Sequence, residues 1–146
     1  MTNTDPSLIM IPHLFWRASA SPPNALPIMF NCLLDNGSHL VLICDSLVTE
    51  LQLCRRNLLL PIETELAMHA DDKKTSVTLH KYVNLSLYDA SGEYSEWTVR
   101  AIIAPNLCSP IILGLPFLCH NNIVVDYVTR SAYDKIRNFD LLNPTV

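Results

Sequence analysis

The apolar residues of this chain come in short runs separated by Pro, Asn, Asp and Ser. The runs are rich in Val, Ile, Leu, Thr and Tyr, a pattern typical of β-strands rather than of helices. An all-β barrel or sandwich is the fold class that this pattern favours. The predicted strands are Leu8 to Ile11, Leu14 to Ala18, Ile28 to Leu34, Leu40 to Ile43, Ile62 to Met68, Val77 to Leu87, Trp97 to Ala104, Ile111 to Leu113, Ile123 to Tyr127 and Ser131 to Ile136.

Two short helices interrupt these strands. The segment Ser46 to Leu53 has one apolar face, and Asp45 or Ser46 can cap its start. The segment Pro116 to about His120 begins with a proline, whose missing N–H is harmless at that position. Turn residues predict three hairpins, at Met68 to Lys74, Asp89 to Glu93 and Tyr127 to Ser131.

Length and composition indicate one domain and exclude several function classes. With 146 residues, 49% of them hydrophobic, the chain suits a single core, so one domain over residues 1–146 is expected, with frayed ends at 1–7 and 143–146. The net charge of -4 and the scattered basic residues argue against direct nucleic-acid binding. The apolar runs are too short or too interrupted to span a membrane. The start lacks a signal peptide, so a cytoplasmic location is expected.

The cysteines and histidines give no reason to expect a metal or another cofactor. There are five of each, and none has the spacing of a zinc site. The odd number of cysteines and their apolar neighbours predict small buried hydrophobic residues rather than disulfides. They are Cys32, Cys44, Cys54, Cys108 and Cys119.

The chain has only three glycines, so each is expected where a side chain would clash or where the backbone needs a positive φ. Gly92 lies in a predicted hairpin. Gly37 follows Asp35 and Asn36 at the end of an apolar strand, and Gly114 ends another apolar strand just before the second helix. Taken alone, Asn36–Gly37 between apolar runs reads as a two-residue hairpin turn. The alternative is that Asp35 is a catalytic residue.

The order of these segments resembles the retroviral-type aspartic proteases. Cys32 to Ile43, with Asp35 and Gly37, looks like the catalytic strand and loop of proteases encoded by long-terminal-repeat retrotransposons, particularly those of fungi. Pro110 to Leu118, continuing through Asn121 to Asp126, resembles their closing strand, helix and terminal hairpin. The likeness covers about residues 26 to 140. It implies a retropepsin-like acid-protease barrel that is active as a two-fold homodimer.

This resemblance implies that Asp35 is catalytic. Two carboxylates sharing one proton can deprotonate a water and protonate a peptide carbonyl. Because the chain has only one suitable Asp-x-Gly, a second copy would supply the other Asp35. The expected function is an aspartic endopeptidase that cleaves extended polypeptide, such as a retrotransposon polyprotein. The partners are thus a second copy and a polypeptide, without nucleic acid or membrane.

The resemblance also implies roles for residues around Asp35. Gly37 is expected to donate its N–H to the Asp35 carboxylate, and Ser38 to donate a second hydrogen bond to it. The strand before the second helix supports the site through Ile112, Leu113 and Gly114. The predicted hairpin at Met68 to Lys74, which is polar, falls where the family has its flap, a mobile β-loop that closes over the peptide. The predicted flap and substrate-binding residues are Ala67, Met68, His69, Ala70, Asp71 and Asp72.

Two departures from the family pattern leave alternatives open. The position of Asn36 usually holds Ser or Thr, whose hydroxyl bonds across the dimer, and an amide is longer. His39 stands where small or acidic residues are common. A catalytically impaired domain that dimerises or binds peptides is therefore the second hypothesis. A small β-barrel interaction module unrelated to the proteases is the third. Asp126, which also follows an apolar strand, is predicted to be an ion-pair or turn partner.

Overall fold

The computed structural model describes residues 13–67, 74–92 and 96–144, and strands predominate in these ranges. In chain order the elements are β1 (Leu14–Ala20), β2 (Ile28–Leu34), β3 (Val41–Cys44), α1 (Asp45–Glu50), β4 (Arg56–Ala67), β5 (Lys74–Asp89), β6 (Glu96–Ala104), β7 (Ile111–Leu113), α2 (Leu115–His120), β8 (Ile123–Asp126), β9 (Ser131–Asp134) and β10 (Phe139–Asp140).

Seven of these strands form one sheet in the order β1-β2-β7-β3-β6-β5-β4. The sheet closes on itself because β1 also pairs with β5, at Ala18↔Asp89 and Ser19↔Tyr88. Closure removes the exposed edges that an open sheet would present. β4 remains outside the closed ring, and β5 is its only partner among the described strands.

The arrangement of β2, β7 and β3 positions the loop that carries Asp35. β2 and β3 are consecutive in the chain, yet β7 lies between them in the sheet. β7 runs parallel to β2, with Leu34↔Leu113, and antiparallel to β3, with Val41↔Leu113. The loop of residues 35–40 therefore joins two strands that do not pair with each other and passes the end of β7.

The core is built around two tryptophans. Trp16 and Trp97 are both fully buried, and their rings meet edge to face with centroids 4.8 Å apart. Phe117 of α2 stacks on Trp16 at 6.3 Å, which attaches the helix to the barrel. Each indole N–H must find an acceptor when buried. Trp16 Nε1 donates to Asp89 at 2.7 Å, and Trp97 Nε1 donates to Asp134 at 3.1 Å.

A second, smaller core cluster lies beside the Asp35 loop. It consists of aliphatic side chains from the strands around that loop and from the segment after β6. Its buried members are Leu33, Leu42, Leu66, Leu79, Ala104, Leu107 and Ile112.

Most predicted strands are confirmed. β2 and β7 have the predicted bounds, and β1, β3, β5, β6, β8 and β9 differ by at most three residues at either end. The three predicted hairpins join antiparallel pairs, although residues 68–73 and 93–95 lie outside the described residues. The predicted strand Leu8 to Ile11 also lies outside them.

The prediction for β4 was too short. The strand begins at Arg56 rather than Ile62, because its pairing with β5 continues across a register shift between Asn57 and Ile62. Pro61 lacks an N–H and would interrupt a regular ladder, but an irregularity on an edge strand tolerates it. β10 was not predicted, since two residues give no periodic signal.

Both predicted helices are present, but the predicted N-cap of α1 is wrong. α2 begins at Leu115, with Pro116 in its first turn. α1 begins at Asp45, and its N-cap is Cys44 without a side-chain capping bond. Asp45 instead forms an ion pair with Arg55 at 3.1 Å, so neither Asp45 nor Ser46 has the predicted capping role.

The cysteine prediction was wrong for most positions. All five thiols are free, but only Cys32 is buried, and Cys54, Cys108 and Cys119 are exposed. Burial raises the pKa of the Cys32 thiol far above its ordinary value. Apolar neighbours in sequence did not determine burial, because these exposed cysteines lie in loops or at the end of α2.

Candidate active-site loop and cleft

The loop after β2 is a turn but not a hairpin. The Ser38 N–H donates to the Asp35 carbonyl at 3.2 Å, and the Asp35 N–H donates to the carbonyl of Leu113 at 3.1 Å. A type I′ hairpin turn needs positive φ at both central residues, and neither Asn36 nor Gly37 has one. The flanking strands are also separated by β7. The interpretation as an Asn–Gly hairpin is therefore wrong.

The Asp35 carboxylate has one oxygen bound and one free. Its Oδ1 accepts the Gly37 N–H at 2.9 Å, as predicted. A Cβ on residue 37 would lie 3.2 Å from this same oxygen, which leaves little room for a side chain. No donor among the described residues reaches Oδ2. The half-buried carboxylate is therefore oriented by the loop and keeps an acceptor for another molecule.

Gly114 holds the loop against β7 and α2. A Cβ at this position would collide with the carbonyl oxygen of Leu40 and lie 2.6 Å from that of Ser38. The neighbouring Leu115 N–H donates to the Ser38 carbonyl at 2.9 Å. Gly114 has an ordinary negative φ of -87°, so close packing rather than backbone conformation explains the glycine.

Ser38 does not have the predicted role. Its hydroxyl donates to the Leu40 carbonyl at 2.8 Å and accepts the Leu40 N–H at 3.2 Å. The side chain thereby closes the second half of the loop instead of bonding the Asp35 carboxylate. A serine hydroxyl often bonds to nearby backbone in this way.

Asn36, at the centre of the loop, contacts a residue that the sequence did not single out. The Tyr127 hydroxyl, on the turn after β8, donates to Asn36 Oδ1 at 3.4 Å. Both side chains are exposed. No sequence signal linked these positions, because the contact depends on how β8 and its turn pack beside the loop.

A cleft of about 510 Å³ opens beside Asp35. The loop supplies Asp35, Gly37, Ser38 and His39 to its wall, and β4 supplies Thr64 to Leu66. Its apolar wall consists of members of the smaller core cluster, namely Leu33, Leu42, Leu66, Leu107 and Ile112. His13, Glu65 and Cys108 also line the cleft, and the sequence had not suggested them. A volume of this size is typical of ligand sites.

The predicted supporting and flap residues have different places. Ile112 lines the cleft, whereas Leu113 is fully buried and contributes only its carbonyl to the Asp35 N–H. β4 and β5 remain paired as far as Ala67↔Lys74, so both strands lead towards the predicted flap. Met68, His69, Ala70, Asp71 and Asp72 lie outside the described residues.

Five aspartates at strand ends share one local motif. Each accepts the backbone N–H of the residue two positions later, a turn common for Asp. The pairs are Asp35 with Gly37, Asp89 with Ser91, Asp126 with Val128, Asp134 with Ile136 and Asp140 with Leu142. Asp126 also accepts the Thr129 N–H at 3.2 Å, which confirms its prediction as a turn partner.

These carboxylates differ in their second oxygen. Asp89, Asp134 and Asp140 use both oxygens in hydrogen bonds within the chain. Burial by itself raises the pKa of Asp134, but hydrogen bonds from Arg137, Trp97 and Ile136 outweigh it and the pKa lies below its usual range. Asp126 is exposed and does not line the cleft. Of the five, Asp35 alone combines a free oxygen with the cleft.

The described ranges contain neither a cluster of metal-binding side chains nor a long apolar helix. No three His, Cys, Asp or Glu side chains in 13–67, 74–92 and 96–144 come close enough together to hold a metal ion. No helix in the same ranges has the length and apolar character needed to cross a membrane.

Comparison with known proteins identifies the fold. No protein-family model and no curated protein matches the chain. Solved structures do match it, and one is the retroviral protease-like domain of Ddi1 from Leishmania major, with a TM-score of 0.57 over 89% of this chain and 91% of the other. The two share 8% sequence identity, so the likeness concerns the fold alone. The chain has a retropepsin-like fold, mostly β with two short helices, as its sequence predicted.

Proposed function

We propose that this chain is an aspartic endopeptidase that uses Asp35 on an extended polypeptide. One observation carries the proposal: the Asp35 carboxylate is oriented by the Gly37 N–H, while its other oxygen meets no donor from the residues that the structure describes and lies beside an open cleft. The retropepsin-like fold supports it. The fold match also argues against the third hypothesis, an unrelated barrel module.

In the proposed mechanism the active form is a two-fold homodimer, because a single Asp35 cannot be both acid and base in one step. The two Asp35 carboxylates share one proton. The ionised member takes a proton from water as the water oxygen attacks the peptide carbonyl carbon, and the other protonates the carbonyl oxygen. Proton transfer to the peptide nitrogen then accompanies cleavage of the C–N bond.

Exposed apolar side chains near the loop support an interface with a second copy. Val124 on β8 and Val128 on the following turn are 49% and 93% exposed, and Asn36 lines the same surface depression as Val124. An isologous contact through this surface would place the two loops on the symmetry axis.

The proposed substrate binds as an added strand, with main-chain hydrogen bonds for affinity and apolar pockets for preference. The five aliphatic side chains of the cleft wall support this view. A retrotransposon polyprotein is the natural substrate in this proposal, and the sequence pattern of the loop and of the segment around Gly114 is its support.

The experiment is cleavage of an unstructured polypeptide between about pH 4 and 7, where a shared-proton pair is active. We expect pepstatin-sensitive cleavage that falls by about 10²–10⁴-fold in Asp35→Asn. Glu50→Gln is the matched control, since it neutralises an exposed carboxylate on α1 outside the cleft. Cleavage retained by Asp35→Asn, or absent from the unmodified protein, contradicts the proposal.

A second candidate is a catalytically impaired domain that dimerises or binds peptides. The observation in its favour is that Asn36 Oδ1 accepts the Tyr127 hydroxyl of its own chain at 3.4 Å, so one of the two lone pairs of this oxygen is used before any contact across a dimer. Sedimentation equilibrium with and without peptide separates the cases. A peptide-binding dimer without turnover supports this candidate, and turnover excludes it.

A further inference from the structure

A second cavity lies between α2 and the β5–β6 pair, away from Asp35. Its volume is about 470 Å³, within the range of small-molecule sites. Pro116, exposed on α2, forms an apolar part of the wall, and the buried Val99 and Phe117 lie beneath the pocket. Arg100 and Asn84, which are cross-strand partners, and His120 at the end of α2 add polar groups. We refer to it as the α2 pocket.

The charge of the α2 pocket is unusual for this chain. The chain carries a net charge of -4, yet the described residues lining the pocket include Arg100 and His120 and no carboxylate. Arg55 and Arg137 form ion pairs with Asp45 and Asp134. Arg100 has no ion pair among the described residues.

Arg100 is held in place by an aromatic ring instead. Its guanidinium carbon lies 4.7 Å above the centre of the Tyr82 ring. Stacking of this kind restricts the side chain without neutralising its charge. A guanidinium restrained in this way loses less freedom when it binds a carboxylate or phosphate.

We propose that the α2 pocket binds a small organic anion, with a carboxylate or phosphate group at Arg100 and His120 and an apolar body against the exposed ring of Pro116. Asn84 offers an amide that can donate or accept. The apolar wall distinguishes such a ligand from inorganic phosphate, since only the organic molecule buries hydrocarbon there.

The location of the pocket couples it to the Asp35 loop. Val41 and Pro116 line the pocket. Val41 directly follows Leu40, and Pro116 lies two residues after Gly114, whose backbone packs on Leu40 and Ser38. A ligand wedged between these residues therefore moves or stiffens the loop. An effect on cleavage rests on the proposed function, whereas binding does not.

The test is an NMR titration of the full chain with phenylphosphate, benzoate, inorganic phosphate and benzyl alcohol. We expect phenylphosphate and benzoate to shift the amide signals of Asn84, Arg100 and His120, and Arg100→Gln to weaken binding by about tenfold. Arg56→Gln is the matched control, because Arg56 is exposed on β4 and does not line the pocket.

Three outcomes overturn the proposal. They are shifts elsewhere on the surface, inorganic phosphate binding as tightly as phenylphosphate, and equal weakening by Arg100→Gln and Arg56→Gln. Shifts of the Ser38 and Leu40 amides that saturate with those of Arg100 support the coupling to the loop, and their absence overturns it. Absence of cleavage by the unmodified chain would reject the proposed function and leave the binding result standing.

Discussion

Asp35 and Asp134 begin the same kind of turn and differ in what reaches their second oxygen. In each, Oδ1 accepts the N–H of the residue two positions later at 2.9 Å. Asp134 is fully buried, and its Oδ2 accepts the Trp97 indole at 3.1 Å and Arg137 at 2.7 Å. Asp35 is half-buried, and within the described ranges no donor reaches its Oδ2. The same local motif thus forms part of a buried hydrogen-bond network in one region and leaves a carboxylate oxygen beside a cleft in the other.

The largest expected effect is on stability at Asp134. Asp134→Ala leaves the Trp97 indole unpaired and removes the partner of Arg137, so we expect the free energy of unfolding to fall by about 3–5 kcal/mol. Chemical denaturation measures it. Asp35→Asn is the comparison variant, and we expect its unfolding free energy to change by less than about 0.5 kcal/mol. Equal losses in the two variants would contradict the distinction between them.

Gly114→Ala is expected to disturb the Asp35 region by overpacking. The added methyl group collides with the Leu40 carbonyl, and backbone must move, at a cost of about 1–3 kcal/mol. We expect both the free energy of unfolding, measured by chemical denaturation, and the rate of cleavage to fall. Gly92→Ala is the matched control for cleavage. Gly92 has a φ of 94° and nothing within 4 Å of an added Cβ, so its substitution strains a distant turn without touching the loop.

Acid should remove the stabilisation that Asp134 and Asp140 contribute. The pKa values of Asp134 and Asp140 lie below their usual range in the folded chain: burial raises both, and hydrogen bonds from neighbouring groups outweigh it. The unfolded chain therefore binds protons at higher pH than the folded chain does. The stabilisation is complete above about pH 4, the unfolded value, and is lost as pH falls through the folded values. Denaturation midpoints against pH should fall less steeply in Asp134→Asn, and equal slopes would contradict this assignment.

The smallest expected effect is at Tyr127. Tyr127→Phe removes the hydroxyl that reaches Asn36 and keeps the ring, so we expect no more than about 1 kcal/mol, or about fivefold, in kcat. The unfolding free energy and the dimer dissociation constant should stay unchanged. Tyr133→Phe is the control, since Tyr133 donates to Asn138 on another turn at 2.8 Å. A change in dimer strength rather than in kcat would reject Tyr127 as a positioning residue for the loop.

The sequence predicted the importance of Asp35 but not that of Asp134. The sequence singled out Asp35 through Gly37 and Gly114. Glycine is rare in this chain, and both positions leave little or no room for a side chain. Asp134 gave no signal, because its partner Trp97 lies on another sheet and only the folded chain brings them together. Ser38 was mispredicted for a different reason, because its hydroxyl bonds the backbone of Leu40, two residues away, instead of the Asp35 carboxylate.

The strands were likewise predicted best where neighbouring residues mark their ends. β2 and β7 were predicted to the residue because each is an apolar run ended by a polar or flexible residue, Asp35 or Gly114. β4 was shortened by Pro61, which the chain accommodates through a shift in pairing that no local pattern encodes. The side-chain surroundings of Asn36 depended on the β8–β9 turn, so the sequence could name the residue but not its partner Tyr127.

The position of β7 between β2 and β3 also sets the order of events during synthesis. Asp35 is synthesised before Leu113 and Gly114, yet its N–H donates to the Leu113 carbonyl and its loop rests on Gly114. Contacts between distant parts of a chain form late, because loop closure must come first. A nascent chain that has not reached residue 114 lacks the strand that separates β2 from β3, and its Asp35 loop has nothing to rest on. The loop geometry therefore forms only after residue 114 has been synthesised, and a shorter nascent chain carries Asp35 without the contacts that support its loop.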